Sequence, residues 1–200
     1  MRQRLHMSTL AWNSKGNKMK VLLHVCCGPC MTSFDKYFKE KDVDYSAFFY
    51  NPNIHPYKEY KLRYNTLEDY AAIIGIELIH GISFQQSKWE REYSGMPAEE
   101  RCRNCYTQRL SETARNAAEK GFTHFSSTLL ISPYQNHELM VQIGKSAAEK
   151  YGVSFYYKDF REFFRDGQNI AREEGLYRQK YCGCIFSYNE SKFREKISWD

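Results

Sequence analysis

The chain has 200 residues, with 29 Lys and Arg against 24 Asp and Glu, which gives a formal net charge of +5. This length predicts one domain with a sizeable core, and the mild basicity is compatible with a nucleic-acid partner. Neither a run of about 18 apolar residues nor a secretory signal occurs, so we expect no membrane partner and no secretion.

Strand-like and helix-like patterns alternate from Met19 onward. In the first half they predict a strand over 20–26, a helix over 31–41, a strand over 45–50, a helix over 57–74 and a strand over 76–79. In the second half they predict a helix from near Cys102 to Gly121, a strand over 122–130, a helix over 137–150 and a strand over 153–157.

This alternation predicts an α/β fold with a doubly wound parallel sheet that is covered by helices on both faces. Open parallel sheets bind ligands beyond the carboxyl ends of their strands, at a topological switch point. Residues 1–18 are basic and lack apolar periodicity. We therefore expect a flexible N-terminal arm there, followed by a single α/β catalytic domain over 19–200.

The seven cysteines form three compact groups that lie far apart in the sequence. The groups are Cys26, Cys27 and Cys30; Cys102 and Cys105; and Cys182 and Cys184. So many thiols in a chain without an export signal predict a reducing, cytoplasmic environment. An iron–sulfur cluster uses four thiolates, so the surplus of cysteines suggests chemistry beyond holding a cluster.

Three other uses of cysteine fit this pattern less well. A disulfide framework is typical of small secreted chains. Zinc matches the Cys-x-x-Cys spacing of the second group, but the other two groups are too cramped for a zinc ribbon. A thiol–disulfide oxidoreductase uses one Cys-x-x-Cys pair at a helix start and has little need for further thiols. An iron–sulfur site is therefore the favoured interpretation.

The predicted fold brings the three cysteine groups to one edge of the sheet. The first group follows the first strand, where the chain passes into the first helix. The second group is expected to begin a helix, whose amide N–H groups favour thiolates, and Arg101, Arg103 and Arg109 add positive charge. The third group lies in a C-terminal helical segment that must fold back over this edge and close the metal site.

Six motifs in the same order make the chain resemble the epoxyqueuosine reductase QueH family. They are HVCCGPC over 24–30, NPNIHPYKEYKLR over 51–63, RCRNCYTQRL over 101–110, TLLISPYQ over 128–135, KDFR over 158–161 and LYRQKYCGC over 176–184. One segment departs from the family pattern. Where the family tends to have a Glu-Pro-Glu-Gly-like segment, this chain has GMPAEE over 95–100, so these glutamates receive no role.

The resemblance implies two-electron reduction of epoxyqueuosine to queuosine in tRNA, the last step in making that modified base. It also implies a [4Fe-4S] cluster, independence from cobalamin, and a tRNA partner with epoxyqueuosine in its anticodon loop, while the electron donor stays unidentified. The first strand and loop look like the nucleotide hydrolase-like (HUP, Rossmann-like) fold of tRNA thiolation enzymes. Those enzymes bind ATP with a Ser-Gly-Gly-x-Asp-Ser loop, which the first cysteine group replaces here, so we expect no ATP binding.

Removal of an epoxide oxygen needs two electrons, two protons and a Lewis acid that polarises the oxygen. The expected cluster ligands are Cys27, Cys102, Cys105 and one of Cys26 and Cys184. Cys182, with the cysteine left over from that choice, forms either a redox-active thiol pair or the site of an additional iron. Cys30 is either a further thiol of the site or an inert buried cysteine.

Several other residues have both a functional and a structural interpretation. Asp159 is a candidate carboxylate ligand or proton donor, or else a helix N-cap. His24 is expected to be a core histidine. Asn51, Asn53 and His55 either bind the modified base or hold a turn. Candidate stacking or acid residues are Tyr57, Tyr106, Tyr134 and Tyr177, and candidate phosphate contacts are Arg63, Arg109, Arg172, Arg178 and Lys180.

Two functions other than reduction stay open at this point. A cluster-dependent tRNA thiolation enzyme would need the ATP loop that this chain lacks. A zinc-stapled RNA-binding module would have no catalytic activity and would be colourless, which metal analysis would detect.

Overall fold

The computed structural model describes residues 19–81, 84–192 and 194, so the predicted arm over 1–18 lies outside the described residues. The strands are β1 (Lys20–His24), β2 (Asp44–Phe49), β3 (Leu78–His80), β4 (His124–Ser127) and β5 (Ser154–Phe155). The helices of the described residues are α1 (Gly28–Glu40), α2 (Tyr57–Ile74), α3 (Gln86–Tyr93), α4 (Ala98–Glu119), α5 (His137–Tyr151), α6 (Phe164–Glu173) and α7 (Ile185–Asn189).

The five strands form one sheet in the order β3-β2-β1-β4-β5, and every pairing is parallel. Helix α1 packs against α2 and α6, and α4 packs against α5. Right-handed crossovers in this strand order place α1 and α2 on one face of the sheet and α4 and α5 on the other. The predicted doubly wound parallel sheet is therefore confirmed, and its switch point lies between β1 and β4.

Strand β4 is shorter than the sequence predicts. The apolar run over 122–130 has the pattern of one strand, but β4 ends at Ser127 and a short 3-10 helix, Thr128–Ile131, follows. The hydroxyl of Ser127 accepts a hydrogen bond of 3.2 Å from the Leu129 N–H, which caps this turn. The chain therefore leaves the sheet at the switch point, directly beside the loop that follows β1.

Helix α1 begins at Gly28, before the predicted start at Met31, with Cys27 at its N-cap and Pro29 in its first turn. Cys30 therefore lies within the first turn of the helix. A Cβ atom at position 28 would lie 3.0 Å from Cγ2 of Thr66, so glycine permits the close approach of α1 and α2. This contact fixes the position of the first cysteine group against the fold.

Helix α4 also begins earlier than predicted. It starts at Ala98 after Pro97, and its first turn carries Glu99 and Glu100, which suit the positive end of a helix. The prediction that the second cysteine group lies at a helix start is wrong, because Cys102 and Cys105 lie inside α4. Residues three apart share a helix face, so both thiols point to the same side.

The segment after β5 returns across the sheet and packs on α1. The rings of Phe34 and Phe160 stack with centroids 3.8 Å apart, and the Ser33 hydroxyl donates a hydrogen bond of 3.0 Å to the Phe163 carbonyl. This packing directs the C-terminal segment towards the carboxyl edge of the sheet. Within the described part of the chain, no helix is long and apolar enough to cross a membrane.

Candidate metal centre

The first cysteine group is a compact buried triad. The sulfur atoms of Cys26, Cys27 and Cys30 all lie within 4.8 Å of one another, and those of Cys26 and Cys27 are 3.7 Å apart. Thiolates around one tetrahedral ion with bonds of about 2.3 Å would be about 3.8 Å apart. The triad is the one group of three such side chains among the described residues, and its spacing fits a single metal ion.

Protons are shared unevenly within this buried triad. Hydrogen bonds from the thiols of Cys27 and Cys30 hold the pKa of Cys26 well below its usual value. Burial raises the pKa of Cys27, and the hydrogen bond to Cys26 raises that of Cys30. The Thr128 hydroxyl lies 3.5 Å from the Cys26 sulfur and can donate to it. One thiolate held by two thiols is a ligand set that a metal can enter by displacing protons.

The other four cysteines form a second group. Desolvation is the main cause that raises the pKa of Cys102 to about 11, and the nearby thiolates of Cys182 and Cys184 contribute to this increase. Burial raises the pKa of Cys105 to about 12, and the same two thiolates act in the same direction. These effects require the second and third sequence groups to lie close together. Together these two groups contain four cysteines, which is the number of thiolates that hold an iron–sulfur cluster.

A buried ion pair holds the third cysteine group in place. Arg63 and Glu59 on α2 are 1% and 0% exposed and form a salt bridge of 2.6 Å. The same guanidinium donates hydrogen bonds of 3.1 and 3.0 Å to the carbonyls of Cys182 and Tyr181. Arg63 was predicted as a phosphate contact, but its burial leaves it no access to RNA. It is instead a structural cation between α2 and the C-terminal segment.

His55 fastens the same segment through its backbone and its ring. The His55 N–H donates to the Gly183 carbonyl at 2.8 Å, and ring atom Nδ1 accepts from the Ile185 N–H at 3.3 Å. Nδ1 is therefore unprotonated, and Nε2 donates to the Pro52 carbonyl. Gly183 has φ of +139° and would place a Cβ atom 3.2 Å from both Arg63 and Ile54. Only glycine fits between the two cysteines of the third group.

The protein should lose stability as the pH falls, because His55 is buried in its neutral form. Burial lowers the pKa of His55 from 6.5 to about 4, so the unfolded chain binds more protons below pH 6.5. This stabilisation is complete above the unfolded pKa and is lost as the pH falls towards the folded pKa. Between pH 7 and 5 we expect wild type to lose about 2 kcal/mol more than His55→Gln, measured by urea unfolding. Equal losses in the two proteins would contradict the buried neutral histidine.

Gln135 reaches the cysteines from the loop after β4. Its Nε2 donates to the Cys182 sulfur at 3.5 Å, and its Oε1 accepts a hydrogen bond of 2.7 Å from the buried Tyr106 hydroxyl. Tyr106 thus orients the amide that contacts the thiol. Gln135, Glu59 and Thr128 all lie in the sequence motifs, yet none of them had a predicted role. Their position in the family motifs was the sequence signal that could have identified all three residues.

Asp159 lies in an exposed ion pair. Its carboxylate binds the Arg161 guanidinium and accepts a hydrogen bond of 3.0 Å from the Arg161 backbone N–H. The hydrogen bond from Arg161 lowers the pKa of Asp159 to about 2, so this carboxyl is ionised at neutral pH and is poorly suited to donate a proton. The N-cap interpretation is wrong, because Phe160 is the N-cap of the short 3-10 helix Arg161–Phe163, while the role of Asp159 as a metal ligand stays a prediction.

The buried polar side chains near the first loop differ in whether their hydrogen-bonding atoms have partners. His24 is a core histidine, as predicted, with hydrogen bonds to Ser127 and Asn51, and Asn51 also donates to the Val25 carbonyl. Both side chains therefore hold the loop. Asn53 differs, because its buried Nδ2 has no hydrogen-bond partner among the described residues. An unpaired buried amide costs about 1–3 kcal/mol, so an acceptor is expected there.

The unpaired Asn53 amide indicates whether the residues of the site suit a metal-bound thiolate. Asn53 acts to lower the pKa of the Cys105 thiol, and so it favours the thiolate form of Cys105. A thiol is a weak acceptor, whereas a metal-bound thiolate carries charge and accepts strongly. The residues present therefore fit a thiolate-bound metal group at this position.

The four candidate tyrosines have different environments. Tyr106 is buried, and the Tyr177 hydroxyl donates to Glu59 at 2.5 Å, so both have structural partners. Tyr57 is 57% exposed and packs on Phe84. Tyr134 is 83% exposed and precedes Gln135 in the loop that contacts Cys182. Of the candidate basic residues, Arg109 is buried against Asn53, and Arg172, Arg178 and Lys180 are exposed.

The fold and the site together define a doubly wound α/β protein with a thiol-rich candidate metal centre at its switch point. The sequence pattern of the family described as Epoxyqueuosine reductase QueH matches residues 21–190. The chain belongs to this family, as the resemblance of its motifs implied.

Two relatives in this family match over nearly their full length. Epoxyqueuosine reductase QueH of Dehalococcoides mccartyi is 39% identical over 171 residues, which cover 86% of this chain and 93% of the relative. Epoxyqueuosine reductase QueH of Thermotoga maritima is 37% identical over 180 residues, which cover 86% of this chain and 92% of the relative. A solved structure, a predicted subunit of tRNA methyltransferase from Methanocaldococcus jannaschii, covers 78% of this chain and 88% of that one at 14% identity and a TM-score of 0.48.

Proposed function

We propose that this chain is an oxidoreductase that reduces epoxyqueuosine to queuosine in tRNA. The observation that carries the proposal is the buried triad of thiols at the switch point of a chain in the epoxyqueuosine reductase QueH family. The reaction takes up two electrons and two protons, breaks both carbon–oxygen bonds of the epoxide, forms an alkene and releases the oxygen as water. A one-electron reductant, still unidentified, must supply the electrons.

The proposed cofactor is a [4Fe-4S] cluster with an additional iron beside it. When bound, such a centre supplies electrons singly and offers a Lewis acid for the epoxide oxygen. The predicted division of ligands, with Cys27 beside Cys102 and Cys105, stays a prediction. A second division, by group, is also proposed, in which the triad Cys26, Cys27 and Cys30 holds the single iron and the other four cysteines hold the cluster. The sulfur distances support the triad, and the electrostatic influence of Cys182 and Cys184 on Cys102 and Cys105 supports the group of four.

The protein's own residues keep the thiols in place around the substrate. Arg63 and His55 hold the backbone of the third group, and Gln135 holds the Cys182 sulfur. Cys182 and Cys184 keep their proposed catalytic role, either as metal ligands or as a dithiol whose oxidation to a disulfide would release two electrons. Asp159 is retained as a candidate carboxylate ligand, since an ionised oxygen suits an iron with open positions.

Tyr134 is the best placed residue to stack on a base of the anticodon loop. Its ring meets that of Phe164 edge-on, with centroids 6.2 Å apart at 86°, and the side chain is otherwise exposed. Unstacked bases of RNA loops bind aromatic side chains in this way. Arg172, Arg178 and Lys180 precede the third cysteine group, and each is proposed to contribute about one phosphate contact to the salt dependence of binding.

Tyr134→Ala should weaken binding of epoxyqueuosine-containing tRNA by about 1–3 kcal/mol, because a stacking surface is lost. Tyr134→Phe should bind like wild type, since the ring is kept. The control is Ile73→Ala, which removes a side chain that is 71% exposed near the C-terminal end of α2. Binding is measured by filter retention at several salt concentrations. Equal affinity of Tyr134→Ala and wild type would remove Tyr134 from the docking surface.

The function itself is tested by converting the substrate. Metal-replete protein, prepared without oxygen, is incubated with verified epoxyqueuosine-containing tRNA and a strong one-electron reductant, and the nucleosides are separated by mass spectrometry. We expect queuosine to form and epoxyqueuosine to disappear in equal amounts. Absence of conversion by a protein that contains iron and sulfide would overturn the proposed function.

A further inference from the structure

The orientation of the Asn53 amide is determined by Arg109. The side chain of Asn53 is 1% exposed, and its Oδ1 accepts two hydrogen bonds from the Arg109 guanidinium, at 2.8 and 2.5 Å. A guanidinium has no acceptor, so the oxygen of the amide must face it. Nδ2 therefore points away from Arg109, and both of its hydrogens are left without an acceptor among the described residues.

Cys105 lies one turn before Arg109 on the same face of α4, so the Asn53 amide that Arg109 binds lies beside the Cys105 thiol. Two rigid elements thus meet here, because the loop after β2 carries Asn53 and α4 carries both Arg109 and Cys105. A neutral thiol would be a poor partner for the amide. A metal-bound thiolate would complete the hydrogen bonding that the polypeptide leaves unfinished.

We propose that Asn53, oriented by Arg109, donates an N–H···S hydrogen bond to the metal-bound sulfur of Cys105 and raises the reduction potential of the centre. The inference rests on the proposed function, since it requires a redox-active metal group on Cys105. Hydrogen bonds to ligand sulfurs tune such potentials, because they stabilise the reduced state, which carries more negative charge. In this arrangement Asn53 tunes the centre and Arg109 positions Asn53.

The test measures the reduction potentials of wild type and of two variants by redox titration. Electron paramagnetic resonance monitors the titration. Asn53→Asp keeps the shape and the contact with Arg109 but turns the donor into a charged acceptor. Asn53→Ser removes the amide without adding charge. We expect both potentials to fall, that of Asn53→Asp by at least a tenfold shift in the reduction equilibrium, about 59 mV for one electron.

Asn116→Asp is the matched control, because it makes the same change further along α4, where the amide nitrogen contacts Glu112. Its potential should stay close to that of wild type. A second measurement uses protein labelled with ¹⁵N at asparagine. Wild type should show a ¹⁵N hyperfine coupling to the paramagnetic centre, and Asn53→Ser should lack it.

The outcomes separate the inference from the proposed function. A wild-type protein with no reducible metal signal would overturn both. A normal wild-type signal with unchanged potentials in the two Asn53 variants would overturn the inference alone. If even Asn53→Ser took up no metal, Asn53 would be needed to build the site, and the tuning role would likewise be wrong.

Discussion

We expect Arg63→Met to lower the free energy of unfolding of the metal-free protein by about 3–5 kcal/mol, because it leaves the buried Glu59 charge without a partner. Both side chains of the pair are almost completely buried. The substitution also removes the donors for the carbonyls of Tyr181 and Cys182, so the third cysteine group should loosen. Urea unfolding measures the first effect, and the iron content after anaerobic reconstitution measures the second.

Lys88→Met is the matched control for this prediction. Lys88 and Glu92 form a salt bridge at the same helical spacing, but at 4.0 Å and with 56% and 46% of their side chains exposed. Exposed pairs of this kind contribute about 0.5 kcal/mol or less. If the two variants lost equal stability, the Arg63 pair would not be the structural anchor of the C-terminal segment.

The second large effect is expected from single cysteine replacements that separate the two thiol groups. Serine is almost the same size as cysteine but does not supply a thiolate. Cys105→Ser should lose iron and sulfide together, by about four atoms of each, and should lose all conversion of epoxyqueuosine. Under the division by group, Cys27→Ser should instead lose about one iron and keep its sulfide. Iron and sulfide are quantified on anaerobically reconstituted protein.

The predicted division of ligands gives a different result for the same variant. If Cys27 is a cluster ligand together with Cys102 and Cys105, Cys27→Ser should lose iron and sulfide in equal amounts. Thr107→Ala, an exposed change on α4, is the control and should keep both. Full iron, sulfide and activity in Cys105→Ser would exclude a cluster on the second cysteine pair under either division.

Local patterns were sufficient for much of the fold. Helix α2 has the predicted bounds, Tyr57–Ile74, because a repeating apolar face ends at Gly75, whose φ of 71° stops the helix. Strand β4 was overpredicted, since an apolar run does not reveal the Ser127 cap that turns the chain away. The start of α4 was predicted too late, because its first turn after Pro97 is polar and shows no apolar face.

The position of the three cysteine groups also follows from the sequence. In a parallel sheet, the connections that follow the strands all begin at one edge, so the thiols after β1 and those near the start of α4 were expected at the same edge. The family motifs pointed to the same residues. Whether a thiol lies at a helix start or inside the helix depended on the exact boundary, which periodicity defines only to within a few residues.

The division of the seven thiols into a tight triad and a wider group of four depended on the tertiary structure. So did the residues that hold them, because their partners lie far apart in the chain. Arg63 and Cys182 are separated by 119 residues, and Asn53 and Arg109 by 56. Local periodicity reports which face of a helix is buried, but the packing of whole elements determines which polar group meets which. For that reason the sequence indicated the metal chemistry, and the fold determined the buried ion pair and the unpaired amide around it.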